Sequence, residues 1–299
     1  MDLTFRLPLP ARIAFFWNKY GIRAKSAIPR AIGRSIPFDD FWILTRSGAK
    51  LRVERKNLDV YASIYNDGGR WDPHVMEACN TLLRAGDVFY DIGSNTGLFA
   101  IDFCYQHESV WCYAFEAQPL QSNAIVSSIQ LNNLKNAKCV SCLLGAQDGV
   151  GTLYLTSHSI HASIVPRESH YDELELPMRT IDSLSSDGTV KDPDIVKIDV
   201  EGSEMNVLKG AIKTFSRSSP SIIFEADDNM KRAGVDPNVL LELIHSFGKY
   251  TLFEITAFGE FKSVVDLSTY GNFLALSQRH RDRMPELRLL DAPHTQLRL

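Results

Sequence analysis

The sequence predicts a doubly wound α/β fold, a mostly parallel seven-stranded sheet preceded by a leader of helix and hairpin. Three observations predict it. From Trp71 onward, short apolar segments alternate with amphipathic ones. The apolar segments are continuous, as strands covered on both faces must be. The first of them runs straight into a loop with two glycines, Asp91-Ile92-Gly93-Ser94-Asn95-Thr96-Gly97, which opens a helical stretch. In such sheets a ligand sits beyond the carboxyl ends of the strands.

The elements follow in order. Residues 1–70 form the leader. Its segment Phe15 to Arg34 mixes aromatics with Lys19, Arg23, Lys25, Arg30 and Arg34. It reads as a helix lying on the domain with a solvated basic face, or alternatively as a membrane-surface contact. Trp42-Ile43-Leu44 and Leu51-Arg52-Val53 suggest a hairpin turning at Ser47-Gly48. The main domain spans 71–278. Asp72-Pro73 opens a helix through Leu83, with Asp as cap and Pro in the first turn. Strands are predicted at Val88–Ile92, Val110–Glu116, Lys138–Leu144, Ile195–Val200, Ser221–Ala226, Tyr250–Thr256 and Phe273–Leu276. Helical patterns cover Gly97–Tyr105, Leu120–Leu131 and Ser203–Phe215, and Asp236-Pro237 caps another through Phe247. The Arg-rich tail, 279–299, is expected to be partly mobile.

Composition narrows the classes. The 299 residues are 44% hydrophobic and 23% charged, enough apolar content for a sizeable core. A net charge of −4 gives no reason to expect nucleic acid. The apolar run Ile13 to Trp17 is too short to cross a bilayer and lacks a signal-peptide cleavage pattern. Five scattered cysteines read as reduced thiols in a cytoplasmic protein, and Cys139-Val140-Ser141-Cys142 has no second ligand pair for a metal.

The chemistry gathers at the strand ends. Gly93 and Gly97 let the backbone turn and approach a ligand, and the free N–H groups of the helix start suit a carboxylate. Asp91 ends the strand where it can accept from an ammonium, with Ser94 and Asn95 in the loop between. Carboxylate plus ammonium is the amino-acid end of S-adenosylmethionine. A dinucleotide would instead require G-x-G-x-x-G, which is absent here. Glu116, about twenty residues past the loop, is placed for ribose hydroxyls. Lys197-Ile198-Asp199-Val200-Glu201-Gly202-Ser203-Glu204 puts Asp199 and Glu201 beside the transferable methyl, and Ser203 is a candidate helix cap.

The run from about Trp71 to Glu225 resembles the FkbM family of S-adenosylmethionine-dependent methyltransferases. The resemblance rests on the DIGSNTG loop, Phe115-Glu116, Arg179-Thr180-Ile181-Asp182-Ser183-Leu184 and the Lys197–Glu204 run. It implies a class I methyltransferase, Rossmann-like fold and O-methylation of a hydroxyl on a sugar, glycan or secondary metabolite. Asp91, Gly93 and Gly97 would then contact the methionine part and Glu116 the ribose. The segment Ser157 to Ser163 departs from the Gly/Asn/Ser-rich run expected of the family.

An unactivated hydroxyl needs a base or a metal. His158 or His161 is a candidate base, as is Asp199. Alternatively Asp199 with Glu225, and Asp227 beside them, could hold a divalent cation such as Mg through hard oxygen ligands. Two rival readings stand beside this one. One is an NAD-dependent sugar oxidoreductase or epimerase, disfavoured because no Tyr-x-x-x-Lys pair is present. The other is a non-catalytic binding module on the same fold.

Overall fold

The computed structural model describes residues 7–20, 25–37, 41–155, 163, 172–267, 270–284, 287 and 296–298. The leader forms α1 (Leu9–Tyr20), α2 (Ala27–Ser35), the hairpin β1 (Trp42–Leu44) and β2 (Lys50–Arg52), and α3 (Leu58–Asn66). The main domain begins with α4 (Pro73–Leu82), β3 (Val88–Ile92), α5 (Leu98–Gln106), β4 (Trp111–Phe115) and α6 (Pro119–Leu131). Next come β5 (Ala137–Val140), β6 (Leu143–Leu144), β7 (Gly149–Leu155), β8 (Asp172–Arg179) and α7 (Ile181–Ser186). They are followed by β9 (Ile195–Ile198), α8 (Glu204–Lys209), α9 (Ile212–Ser218) and β10 (Ser221–Ala226). The described chain closes with α10 (Asp228–Arg232), α11 (Pro237–Ser246), β11 (Tyr250–Ile255), β12 (Glu260–Ser263), β13 (Gly271–Ser277) and β14 (Gln296–Arg298).

The main sheet runs β14-β12-β11-β13-β10-β9-β3-β4-β5. Its seven central strands, β11 to β5, match the seven expected. Six of them point one way, and β13 runs antiparallel between β10 and β11. The two further strands, β12 and β14, extend one edge in antiparallel sense. Strand order reverses between β3 and β9, the crevice where an open α/β sheet takes its ligand.

Successive side chains on each strand enter opposite cores. Phe89, Cys112, Ala114, Ile195 and Ile223 pack on the face covered by residues of α1 and α3–α6. Val88, Tyr90, Ile92, Phe115, Val196, Ile198 and Phe224 pack on the face of α7–α11. Burial on both faces is the physical cause of the continuous apolar runs.

Several elements differ from expectation. The Phe15–Arg34 helix is two helices. The Lys138–Leu144 strand divides, because β5 ends the main sheet while β6 joins β8 and β7 in a small separate sheet. The Ser203–Phe215 helix breaks at Gly210, where a Cβ would stand 2.1 Å from the Gly145 carbonyl oxygen. Asp182 accepts from the Thr214 and Lys213 amides (2.8 and 3.0 Å) and restarts the helix as α9. Asp72 precedes α4 but sits in the left-handed region (φ 45°) with no side-chain cap. The beginning of the tail is pinned, not loose. A 3-10 turn over Gln278–Arg283 buries His280, and Arg279 and Arg283 pair with Asp194 and Asp87.

Candidate active site

The strand ends build the site from β3 outward. Asp91, 1% exposed, is the fourth residue of β3 and lies opposite Lys197 in the β3–β9 register. Ser94 Oγ donates to Asp91 Oδ2 at 2.6 Å, tying the loop back onto its strand. Asp91 Oδ1 accepts no hydrogen bond among the described residues and faces Lys197 Nζ at 3.9 Å. Lys197 also donates to Asp199 Oδ2 at 3.1 Å and rests over the Phe99 ring, 5.0 Å from its centroid. Burial raises the Asp91 pKa against the opposing pull of Lys197 and Ser94. On Lys197, burial favours the neutral amine, but Asp199 and Asp91 outweigh it and hold the pKa above the usual lysine range. The signal for Lys197 in the sequence is a lysine inside an apolar strand, two residues before Asp199.

Gly93 is dictated by a close approach. Its φ is 77°, and a Cβ there would lie 1.8 Å from the Asp199 carbonyl oxygen. Gly97, also at φ 77°, stands against the Ile125 side chain and starts α5. Asn95 adopts φ 50° and takes a 2.7 Å hydrogen bond from Gln121 on its Oδ1.

Glu116 follows the last residue of β4. Its two carboxylate oxygens accept from the amides of Asn95 (2.8 Å) and Gln118 (2.7 Å), so it joins the glycine loop to the next strand end. Burial pushes its pKa up to about 7, against those two amides.

Glu201 and Gly202 both take positive φ beyond β9. Glu204 supports this turn: its Oε1 accepts from the Val200 and Gly202 amides, both at 3.2 Å. Burial raises Glu204 to about 7. Ser203 does not cap α8, and its Oγ is buried with no hydrogen-bond partner among the described residues. The Arg179–Leu184 run is likewise structural, with Thr180 accepting from the Ser183 amide to cap α7.

Two cavities meet here. The first, about 90 Å³, is walled by Phe115, Leu143, Leu144 and Leu153, with Glu116 and Ser203 as polar points. The second, about 270 Å³, is bounded by Trp71, Asp72, Phe99, Lys197 and Glu225 together with Ser94. Gly93, Asn95, Asp199 and Glu201 line both. Asp91 and Gly97 line neither; they shape the loop from behind. Glu225 is pushed up to about 8 by burial first, then by Asp199, Asp227, Glu201 and Asp72. His158 and His161 lie outside the described residues. Among the described residues no group of three or more His, Cys, Asp or Glu is arranged to hold a metal ion. The pairing of Asp199 with Glu225 around a divalent cation therefore gains no support, and one Asp199 oxygen already serves Lys197.

A sheet ordered β5-β4-β3-β9-β10-β13-β11, with its cavities at the β3/β9 reversal, defines the class I methyltransferase architecture. The chain belongs to the FkbM methyltransferase family: the FkbM methyltransferase domain matches residues 91–250, more than half of its length. Methyltransferase 1 of Beauveria bassiana is 24% identical over 195 residues, covering 58% of this chain and 72% of that protein. The hexuronic acid methyltransferase AglP of Haloferax volcanii is 27% identical over 158 residues, covering 53% of this chain and 61% of that protein. The crystal structure of an FkbM methyltransferase from Methylobacillus flagellatus aligns with TM-score 0.45 at 15% identity, over 75% of this chain and 55% of that one. The chain thus spans less than two thirds of the latter two proteins. No helix among the described residues is long and apolar enough to cross a membrane.

Proposed function

We propose that the protein is an S-adenosylmethionine-dependent O-methyltransferase acting on a hydroxyl of a sugar, glycan or secondary metabolite. The observation that carries this is the pair of cavities sharing Gly93, Asn95, Asp199 and Glu201. One is apolar with a single buried carboxylate, suited to an adenosine whose ribose reaches Glu116. The other is wider and mixed, with apolar walls and several charged groups, suited to an acceptor. The residues fit the cofactor on a further count: Ser203, on the wall of the first cavity, has a buried Oγ with no hydrogen-bond partner among the described residues. The hexuronic acid methyltransferase among the relatives makes a sugar acceptor the first class to try.

S-adenosylmethionine, when bound, supplies a methyl group on a sulfonium. The chain's own part is to position the acceptor oxygen in line with it, a contribution worth up to roughly 7–11 kcal/mol in favourable cases. Asp199, at the junction of the cavities and fixed by Lys197, orients the acceptor hydroxyl. Glu225, on the wall of the wider cavity, takes the proton once it is itself ionised; a positioned base contributes about 10²–10⁴-fold. His158 and His161 remain candidates for the same proton.

A thermal-shift screen of the full chain with S-adenosylmethionine, S-adenosylhomocysteine and NAD, followed by a panel of hydroxylated sugars, tests the reading. Stabilisation by the first two alone and methyl transfer to oxygen are expected. Stabilisation by NAD alone would reject it in favour of the oxidoreductase.

A further inference from the structure

Helix α1 has two apolar faces: one is buried in the fold, and the other is exposed among the described residues. Ala11, Ala14 and Phe15 are buried. Phe15 packs on Tyr65 of α3 with ring centroids 5.0 Å apart, and Asn66 donates to the Phe15 carbonyl at 3.0 Å. The opposite side carries Leu9, Ile13, Phe16, Trp17 and Tyr20, all exposed, with Leu9 at 67%, Phe16 at 65% and Tyr20 at 60%. Their spacing places them within an arc of about 100° on the helix. In the Phe15–Arg34 segment Lys19, Lys25 and Arg34 are exposed, and α1 adds an apolar, aromatic ridge with cations at its border.

Those cations are Arg12 and Lys19, both exposed, with the Lys19 ammonium 5.3 Å from the Tyr20 ring centroid. In sequence, positions 3–38 hold seven Lys and Arg and no Asp or Glu, although the whole chain has a net charge of −4. The apolar ridge thus lies in the one strongly basic stretch of an acidic protein.

We propose that α1 is a membrane-surface contact, seating the protein on an anionic lipid bilayer. A ridge formed by one helix, rich in Phe, Trp and Tyr and bordered by like-signed cations, is what inserts at the headgroup level. Aromatic rings favour that depth, and each cation near an anionic surface adds about 1 kcal/mol. A protein partner would be met by mixed charges and a groove; α1 itself offers a helical ridge whose charged side chains, Arg12 and Lys19, share one sign. With 12 residues the helix is about 18 Å long and lies along the surface rather than through it. The seat is also connected to the site: α3, on which α1 packs, contributes Val60 and Ile64 to the wall of the wider cavity. The bilayer therefore bears on a helix that bounds the proposed acceptor space.

Flotation of the full chain with phosphatidylcholine vesicles, with and without phosphatidylserine, tests this. The expected result is binding to the phosphatidylserine vesicles that weakens as salt is raised. Ile13→Ser with Phe16→Ser should reduce that binding about tenfold or more without lowering Tm, since both side chains are already in water. Arg12→Gln with Lys19→Gln should weaken it less. No flotation with anionic vesicles, or flotation unchanged by the Ile13/Phe16 variant, would overturn the proposal. So would a dimer in light scattering that the same variant abolishes, which would give the face to a second copy.

Discussion

Lys197 and Asp91 face each other across the parallel β3–β9 pair, and the Lys197 ammonium stands 3.9 Å from Asp91 Oδ1 while bonding Asp199 at 3.1 Å. One cation thereby serves two carboxylates on either side of the ligand crevice.

Removing that cation leaves the buried Asp91 carboxylate with the Ser94 hydroxyl but no opposite charge. Lys197→Met should destabilise the chain by about 3–5 kcal/mol, the usual consequence of breaking a buried ion pair from one side. Adding Asp91→Asn to the same chain should restore part of the loss. Urea unfolding measures both, and a single-variant loss below about 1 kcal/mol would mean that the pair does not organise the site.

The glycine loop makes a graded prediction. Gly93→Ala must push a Cβ into the Asp199 backbone, whereas Gly97→Ala meets only the Ile125 side chain at 2.8 Å. Both pay for positive φ, about 1–3 kcal/mol. Gly93→Ala should therefore lower Tm clearly more than Gly97→Ala; equal shifts would show that backbone approach is not what selects Gly93.

The strands of the main sheet were legible in the sequence because burial on both faces writes uninterrupted apolar runs; their order was not. The small sheet was not: β7 and β8 are half exposed along most of their length and lack that signature. Of the residues singled out in the sequence, Gly93, Ser94, Asn95, Glu116, Asp199, Glu201 and Glu225 line a cavity. Asp91, expected at the methionine part, has its carboxylate against Ser94 and Lys197, contacts that strand position alone does not fix. Thr180 and Asp182, part of the run that carries the family resemblance, serve the starts of α7 and α9.

Glu204 links the turn at Gly202 to pH. Its folded pKa of about 7 lies above the unfolded value of about 4.3, so the folded chain holds a proton that the unfolded chain has lost. Its contribution therefore falls as pH rises from about 4.3 to 7 and is level above. Buried His280, lowered to about 3, works in the opposite sense over the acid side. Glu204→Gln keeps an oxygen for the two amides and cannot ionise. Relative to the parent, it should gain stability between pH 5 and pH 7.5 in thermal melts. A constant difference over that interval would contradict the assignment.

Glu225 makes a kinetic prediction. A base raised to about 8 is protonated at neutral pH, so kcat/KM for methyl transfer should climb through pH 8. Glu225→Gln should remove that limb and cost about 10²-fold or more. If the limb persists in the variant and vanishes in His158→Ala or His161→Ala, the proton goes to the histidine instead.

The central claim is that the cavity containing Glu116 holds the adenosine of S-adenosylmethionine. Titration calorimetry of the full chain with S-adenosylmethionine, before and after Glu116→Ala, tests it most directly. The account predicts binding that weakens about tenfold or more in the variant, the effect of losing hydrogen bonds to a buried carboxylate. Binding of equal strength in both chains would contradict it.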